Sequence, residues 1–180
     1  MKQIFNKKAL KEHFSDITLD DFFDMVIGLK SEGKNNVNVL NQIKLAKMLS
    51  GEFVGHKIND HDIVANSIKI ELKCNVNQAM DLGSTVGFGS FLQKEDWDLL
   101  VHWVPSPFNN YLNEGKFVVF KKSDLNTIKK YCNDGGSFRY TCKIFNPNHI
   151  ITNSGGAKEK LTFVRERIMN FQQLNQLVNG

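Results

Sequence analysis

Residues 60–75, DHDIVANSIKIELKCN, alternate apolar and polar side chains on either side of the polar pair Asn66–Ser67. This period of two is typical of a β-hairpin with a two-residue turn, in which directly opposed residues point to the same face of the ribbon. Such a turn places Asp62 opposite Glu71. One face of the hairpin is then apolar and suited to burial, whereas the other is charged. The charged face consists of Asp60, Asp62, Lys69, Glu71 and Lys73.

Two interpretations of the charged face remain open. It is either a plain polar face in solvent, or it binds a cation that offsets the repulsion between opposed carboxylates, which amounts to about 1 kcal/mol or less at an exposed site. Mg²⁺ suits the second interpretation, because it takes oxygen ligands and often uses only one or two protein carboxylates. Lys73 returns to the side of Glu71, where its ammonium can hold an attacking water or stabilise developing negative charge. Asp62, Glu71, Lys73 and Mg²⁺ would form a hydrolytic site for phosphodiesters.

Four segments outside the hairpin have the pattern of helices. Thr18, with Asp21 three positions later, predicts the start of the first helix. The second is amphipathic and carries Glu52 near its end, and the third is short, with Ser123 as its predicted cap. The fourth is predicted as a single amphipathic helix at the C-terminus. The four segments are residues 18–33, 37–53, 123–132 and 157–178.

The middle of the chain predicts a sheet. Residues 97–105 form an almost continuous apolar run, which is typical of a central strand covered on both faces. Residues 116–122 and 137–145 predict two further strands. Between the hairpin and the central strand, the glycines at positions 83, 87 and 89 predict an irregular link. Strands in the middle and helices on both sides predict a mixed α/β fold.

Length and composition limit the number of domains and the class of protein. At 180 residues and 41% hydrophobic composition, the chain can bury one core, so we expect a single domain over residues 1–180. The net charge of +4 is compatible with a polyanionic partner without requiring one. The three cysteines have no short spacing, and we expect reduced thiols. We expect a cytoplasmic protein, because the sequence has neither a signal-peptide apolar region nor an apolar run of roughly 20 residues.

The spacing Asp62-x8-Glu71-Leu72-Lys73 resembles the D-(x)n-(D/E)-x-K signature of the PD-(D/E)XK nuclease superfamily. This superfamily includes most type II restriction endonucleases and several repair and resolving nucleases. His61 stands where the signature has its proline, and we expect it to be a loop histidine with one side in solvent. The order of helix, Asp strand, ExK strand and apolar strand is also similar, so the resemblance covers about residues 37–130.

The resemblance implies a restriction-endonuclease-like α/β fold, with a mixed sheet core flanked by helices. It implies Mg²⁺ as the cofactor and double-stranded DNA as the substrate, with residues 37–130 as the catalytic core. It also implies that Glu52 completes the catalytic group of Asp62, Glu71 and Lys73, because an acidic residue on the preceding helix often does so in the family. The remaining residues, 131–180, would serve DNA recognition and packing.

A nuclease of this kind also needs residues that hold the duplex. Basic side chains attract phosphates in any sequence, whereas arginine, lysine, asparagine and glutamine can read base edges. An ordinary strand and loop would explain the same residues in the C-terminal part, since lysine and asparagine are frequent along the whole chain. The predicted DNA contacts are Lys69, Gln78, Lys94, Arg139, Lys143, Asn146, Asn148 and Asn153.

The function that we expect is that of a type II restriction enzyme, a Mg²⁺-dependent, sequence-specific DNA endonuclease. A subunit of this size would cut both strands of a palindrome as a homodimer with a two-fold axis, through its N- or C-terminal helices. Two alternatives remain open. One is a structure-selective nuclease such as a Holliday junction resolvase, and the other is a catalytically inactive DNA-binding protein of the same fold.

Overall fold

A mixed six-stranded sheet lies at the centre of the part of the chain that the computed structural model describes. The described residues are 15–21, 36–54, 61–74, 85–88, 96–104, 116–133, 136–145, 148, 150–151 and 155–180. The strands are β1 (Glu52–Phe53), β2 (Ile63–Ala65), β3 (Ile68–Cys74), β4 (Thr85–Phe88), β5 (Leu99–Val104), β6 (Lys116–Lys121), β7 (Phe138–Thr141) and β8 (Ile168–Met169). The sheet order is β1-β2-β3-β5-β6-β8, and β4 pairs with β7 in a separate two-stranded sheet.

Helices flank the sheet, which confirms the predicted mixed α/β class. They are α1 (Asn36–Met48), α2 (Leu125–Lys130), α3 (Gly156–Arg165) and α4 (Phe171–Asn179), with short 3₁₀ turns at Lys122–Asp124 and Cys142–Phe145. The predicted first helix begins as expected: the Asp21 amide donates to the Thr18 hydroxyl at 3.3 Å, and the Thr18 amide donates to the Asp21 carboxylate at 2.6 Å. The rest of that helix lies outside the described residues.

The hairpin of β2 and β3 has the predicted register. Ala65 pairs with Ile68 and Ile63 pairs with Ile70 in an antiparallel ladder. The two turn residues, Asn66 and Ser67, have positive φ angles of 48° and 66°. Left-handed backbone at both central positions matches the right-handed twist of the flanking strands, which is why a two-residue loop can join them.

The central strand β5 is covered on both faces, as predicted. It runs parallel to β3 and antiparallel to β6, and Leu100 and Val101, which point to opposite faces, are both fully buried. On the side of Val101 lies the α1/α4 core, to which those two helices contribute Leu45, Ala46, Leu174 and Val178, and the turn after α1 contributes Leu49. On the side of Leu100 lies the β4–β7 core, built by Phe88, Phe138, Tyr140, Ile128, Leu161 and Val164.

The predicted single C-terminal helix is wrong. The chain forms α3 and α4 with the strand β8 between them, and β8 pairs with β6. Arg167 stabilises the break between α3 and α4, because its guanidinium lies 3.6 Å from the centre of the Phe163 ring and donates to Asp124 at 2.7 Å. Asn170 then starts α4, since its side chain accepts a hydrogen bond from the amide of Gln173.

Three smaller predictions are also corrected. Ser123 does not cap the short helix, because α2 begins one residue later with Asp124 as its N-cap residue. Gly87 lies in strand β4 opposite Arg139, so this part of the predicted link is regular structure. Glu52 lies on strand β1 and not on a helix, since α1 ends at Met48.

Candidate active site

Several hydrogen bonds hold Asp62, which lies directly before β2. Its carbonyl accepts from the Val54 amide at 2.9 Å, and its own amide donates to the Ile70 carbonyl at 2.9 Å. Its side chain is also bound, because Oδ2 accepts a hydrogen bond from the Leu72 amide at 2.7 Å. The carboxylate therefore takes the place of a backbone acceptor beside β3, and the strands on both sides determine its position.

Glu71 and Lys73 project from β3 toward the β4–β7 core. The flanking residues Ile70 and Leu72 belong to the α1/α4 core, and side chains alternate along a strand. Lys73 Nζ lies 3.5 Å from Glu71 Oε1, and the Lys73 side chain is 33% exposed while that of Glu71 is fully buried. Lys73 thus connects a buried carboxylate to the surface of the protein.

Both carboxylates of the predicted site are buried. Asp62 and Glu71 each have 0% exposure. The ladder of β2 and β3 ends at the pair Ile63 and Ile70, and the Asp62 amide donates to the Ile70 carbonyl, so Asp62 lies beside Ile70, the residue before Glu71. The interpretation of Asp62 and Glu71 as part of a plain polar face in solvent is therefore wrong. Two neighbouring carboxylates in a medium of low polarity strongly favour a nearby cation, and the Lys73 ammonium is one such cation.

The chain matches no protein-family model, and it has no significant match among curated proteins. The resemblance to the PD-(D/E)XK nucleases therefore depends on the residues themselves and on where the fold places them.

The chemistry of these residues fits Mg²⁺. Asp62 and Glu71 supply hard carboxylate oxygens from neighbouring strands, and Mg²⁺ commonly binds to one or two carboxylates while water and phosphate supply its other ligands. A metal site built only from protein ligands would be of a different kind. Among the described residues, no group of three or more His, Cys, Asp and Glu side chains is arranged to hold a metal ion in that way.

Sequence reasoning missed a buried histidine beside the site. His102 on β5 pairs with Lys73 on β3, and it has 0% exposure. Its Nδ1 lies 2.7 Å from the hydroxyl of Tyr140 on β7. Burial lowers the pKa of His102 to about 3, so the imidazole is neutral at physiological pH. The available signal was a single polar residue within the apolar stretch of residues 99–105.

A second charged group lies at the start of β5. Asp96 forms an ion pair with Lys69, and the hydrogen bond between them raises the pKa of Lys69 and lowers that of Asp96. His61 is buried, with Nδ1 at 3.1 Å from the Asp96 carbonyl oxygen, so the expectation of a loop histidine with one side in solvent is wrong. Lys69, a predicted DNA contact, is thus anchored at its ammonium by Asp96.

Glu52 lies apart from the buried pair. It is exposed on β1 opposite Val64, two positions along β2 from Asp62. The implied role of Glu52 in catalysis stays a prediction, now from a strand at the edge of the sheet.

The predicted DNA contacts divide into two groups. Arg139 on β7, Lys143 in the following 3₁₀ turn and Asn148 are all exposed. Arg139 alternates with the buried Phe138 and Tyr140, so it lies on the outer face of the two-stranded sheet. Gln78, Lys94, Asn146 and Asn153 lie outside the described residues.

No helix in the described part of the chain combines the length and the apolar character that a membrane span requires.

Proposed function

We propose that this protein is a Mg²⁺-dependent endonuclease that hydrolyses phosphodiester bonds in double-stranded DNA, of the type II restriction class. The observation that carries the proposal is the burial of Asp62 and Glu71 on neighbouring strands, with the Lys73 ammonium 3.5 Å from Glu71. These are the three residues of the D-(x)n-(D/E)-x-K pattern. Glu71 and Lys73 lie on one face of β3, next to the central strand β5, and Asp62 lies directly before β2, the neighbouring strand on the other side.

The burial of the carboxylates favours a functional role over a structural one. Removing a carboxylate from water costs several kcal/mol even after the protein relaxes, so it is an inefficient way to stabilise a fold. An apolar side chain at position 71 would extend the β4–β7 core at no such cost, whereas Asp62 has a structural contact as well, because it accepts from the Leu72 amide. Ionisable groups kept buried against this penalty are concentrated at catalytic and binding sites.

Each residue has a distinct role in the proposed reaction. Mg²⁺ would supply positive charge at the scissile phosphate, and Asp62 and Glu71 would hold it. Asp62 keeps its position because Leu72, Val54 and Ile70 fix its side chain and backbone. Lys73 would orient the attacking water and stabilise the negative charge that develops on the phosphate, since its exposed end can reach the substrate.

DNA would contact the exposed basic residues of the two-stranded sheet, which packs on the same side of the central sheet as Glu71 and Lys73. Arg139 lies on the outer face of the two-stranded sheet and Lys143 on the turn that follows it, whereas Tyr140 points inward and contacts His102 beside Lys73. A two-stranded β-ribbon fits the major groove, where arginine and lysine recognise guanine. These two residues are therefore the proposed base contacts among those that the structure describes.

Cleavage of both strands would require two copies of the chain about a two-fold axis. The apolar face of α4 is already used within the subunit, because Leu174 and Val178 are buried in the α1/α4 core. A homodimer would therefore have to form through a surface other than the apolar face of α4.

The decisive experiment is a plasmid cleavage assay with Mg²⁺, with EDTA, and with the variant Glu71→Gln. We expect Mg²⁺-dependent cutting that EDTA abolishes and that Glu71→Gln reduces by about 10² or more, because a metal ligand is lost without a change in shape. Glu159→Gln is the matched control, since Glu159 is exposed in the first turn of α3. Cutting that survives Glu71→Gln would reject the site.

The same assay distinguishes the alternatives. Discrete fragments from a plasmid support a restriction enzyme, whereas cutting confined to branched substrates supports a junction resolvase. Binding of DNA without cutting supports a catalytically inactive binding protein and rejects the proposed chemistry.

A further inference from the structure

His102 is a polar residue in a place that packing alone would assign to an apolar one. Its neighbours along β5 on the same face and on β6 are the buried Leu100 and Val118, and aromatic rings surround it. The ring of Phe145 lies 5.7 Å from the imidazole and that of Phe88 lies 6.1 Å away, both edge to face. The register of β3 and β5 places Lys73 next to His102.

The hydrogen bonding of His102 is only half complete. Nδ1 contacts the Tyr140 hydroxyl at 2.7 Å, whereas the buried Nε2 has no hydrogen-bond partner among the residues that the structure describes. An unpaired polar atom in a core is costly. The bond to Tyr140 explains one nitrogen of the imidazole but not the buried Nε2, and the position of His102 beside Lys73 becomes its most informative property.

We propose that His102 and Tyr140 act as one positioning unit for Lys73. The hydrogen bond from β7 fixes the imidazole, which then borders the Lys73 side chain and keeps its ammonium directed to Glu71, where the distance is 3.5 Å. A lysine side chain has many rotamers, so a rigid neighbour on one side removes much of its freedom before substrate arrives. The inference rests on the proposed function, because it assumes that Lys73 orients the attacking water.

Steady-state kinetics of plasmid cleavage test the pair. His102→Phe and Tyr140→Phe should each lower kcat by about 10- to 100-fold and leave KM for DNA nearly unchanged, as expected for residues that orient a catalytic group. His102→Asn, which keeps a hydrogen-bonding atom near the position of Nδ1, should recover most of the activity. The double variant with both phenylalanines should lose no more than either single variant, because the two residues act as a unit.

Ile128→Val is the matched control for a purely structural effect, since Ile128 is fully buried in the same β4–β7 core on α2. We expect it to leave kcat unchanged. A folded His102→Phe variant with the wild-type kcat, or losses that multiply in the double variant, would overturn the inference.

A second readout separates this inference from the proposed function. In metal-free protein, acetylation of Lys73 by a water-soluble succinimidyl ester, followed by mass spectrometry, should be roughly two- to tenfold faster in His102→Phe and Tyr140→Phe, because the lysine regains rotamer freedom. Lys158, exposed on α3, should react at the same rate in every variant. Faster labelling in a protein that cuts no DNA would reject the nuclease and retain the positioning unit. Unchanged labelling would reject the positioning unit whether or not DNA is cut.

Discussion

Different interactions hold the residues of the candidate site. Backbone amides and carbonyls on two neighbouring strands fix Asp62, whereas Glu71 is held by burial and by its ion pair with Lys73. Asp62 is therefore rigid before any ligand binds, and Lys73, with 33% of its side chain exposed, is the most adjustable member. This difference is the reason why a positioning unit matters for Lys73 and not for Asp62.

The pH dependence of stability is a prediction at the residue scale. His102 has a pKa of about 3 in the folded protein, against an ordinary value of 6.5. The unfolded chain binds the proton first, so the contribution of His102 to stability is complete above pH 6.5 and is lost as the pH falls toward 3. At pH 5 the loss is about 2 kcal/mol.

Urea unfolding at pH 7 and at pH 5 measures this effect. The wild-type protein should lose more stability between the two conditions than His102→Asn does, by about 2 kcal/mol, because the variant has no titrating group at this position. Equal losses in the two proteins would show that His102 accepts a proton in the folded state.

The hairpin turn shows how one element combines local strain with a distant contact. Asn66 and Ser67 both adopt the left-handed conformation, which L-residues other than asparagine and aspartate seldom adopt. Asn66 has a second task, since its side-chain amide donates to the carbonyl of Val178 on α4 at 3.0 Å. The turn is thus both the closure of the hairpin and an anchor for the C-terminal helix.

Substitutions to glycine separate the two tasks. Ser67→Gly should stabilise the protein by roughly 0.5 to 1 kcal/mol, because glycine adopts a positive φ without a steric cost. Asn66→Gly relieves a similar strain but loses the bond to Val178, so it should be neutral or destabilising. Urea unfolding midpoints give both values. A gain for Asn66→Gly as large as that for Ser67→Gly would mean that the contact with α4 contributes nothing.

At the scale of the whole molecule, one sheet separates two apolar cores that must fold together. Strand β5 contributes Leu100 to the β4–β7 core and Val101 to the α1/α4 core. The two tryptophans of the chain report on different sides, because Trp97 lies in the β4–β7 core and Trp103 in the α1/α4 core. Neither core can lose its packing without exposing the other face of the shared strands.

Single-tryptophan variants test this coupling. Trp97→Phe and Trp103→Phe each leave one fluorescent reporter, and within each variant the fluorescence and circular dichroism transitions in urea should coincide, as in a two-state transition. Leu174→Ala on α4 should lower the midpoint for the distant reporter Trp97 as well, since it creates a cavity that costs about 2 to 5 kcal/mol. A shift confined to Trp103 would show that the cores unfold separately.

The elements with the clearest local pattern were predicted correctly. The alternation around Asn66–Ser67 was sufficient for the hairpin and its register, and the apolar run after Trp97 was sufficient for the central strand. Both features depend on short-range periodicity, which a sequence displays directly. The C-terminal segment was predicted as one helix because its apolar spacing continues across residues 166–170, although Asn170 and Gln173 already carried the signal for a new start.

The sequence by itself determined which residues face each other across the hairpin, because side-chain alternation and the turn residues specify the register. Only the tertiary structure decided that the face with Asp62 and Glu71 is buried and not solvated, since burial depends on the elements that cover the sheet. The contact between His102 and Tyr140 was likewise decided only by the tertiary structure. It joins β5 to a strand 38 residues later, and no local pattern encodes a pairing at that separation.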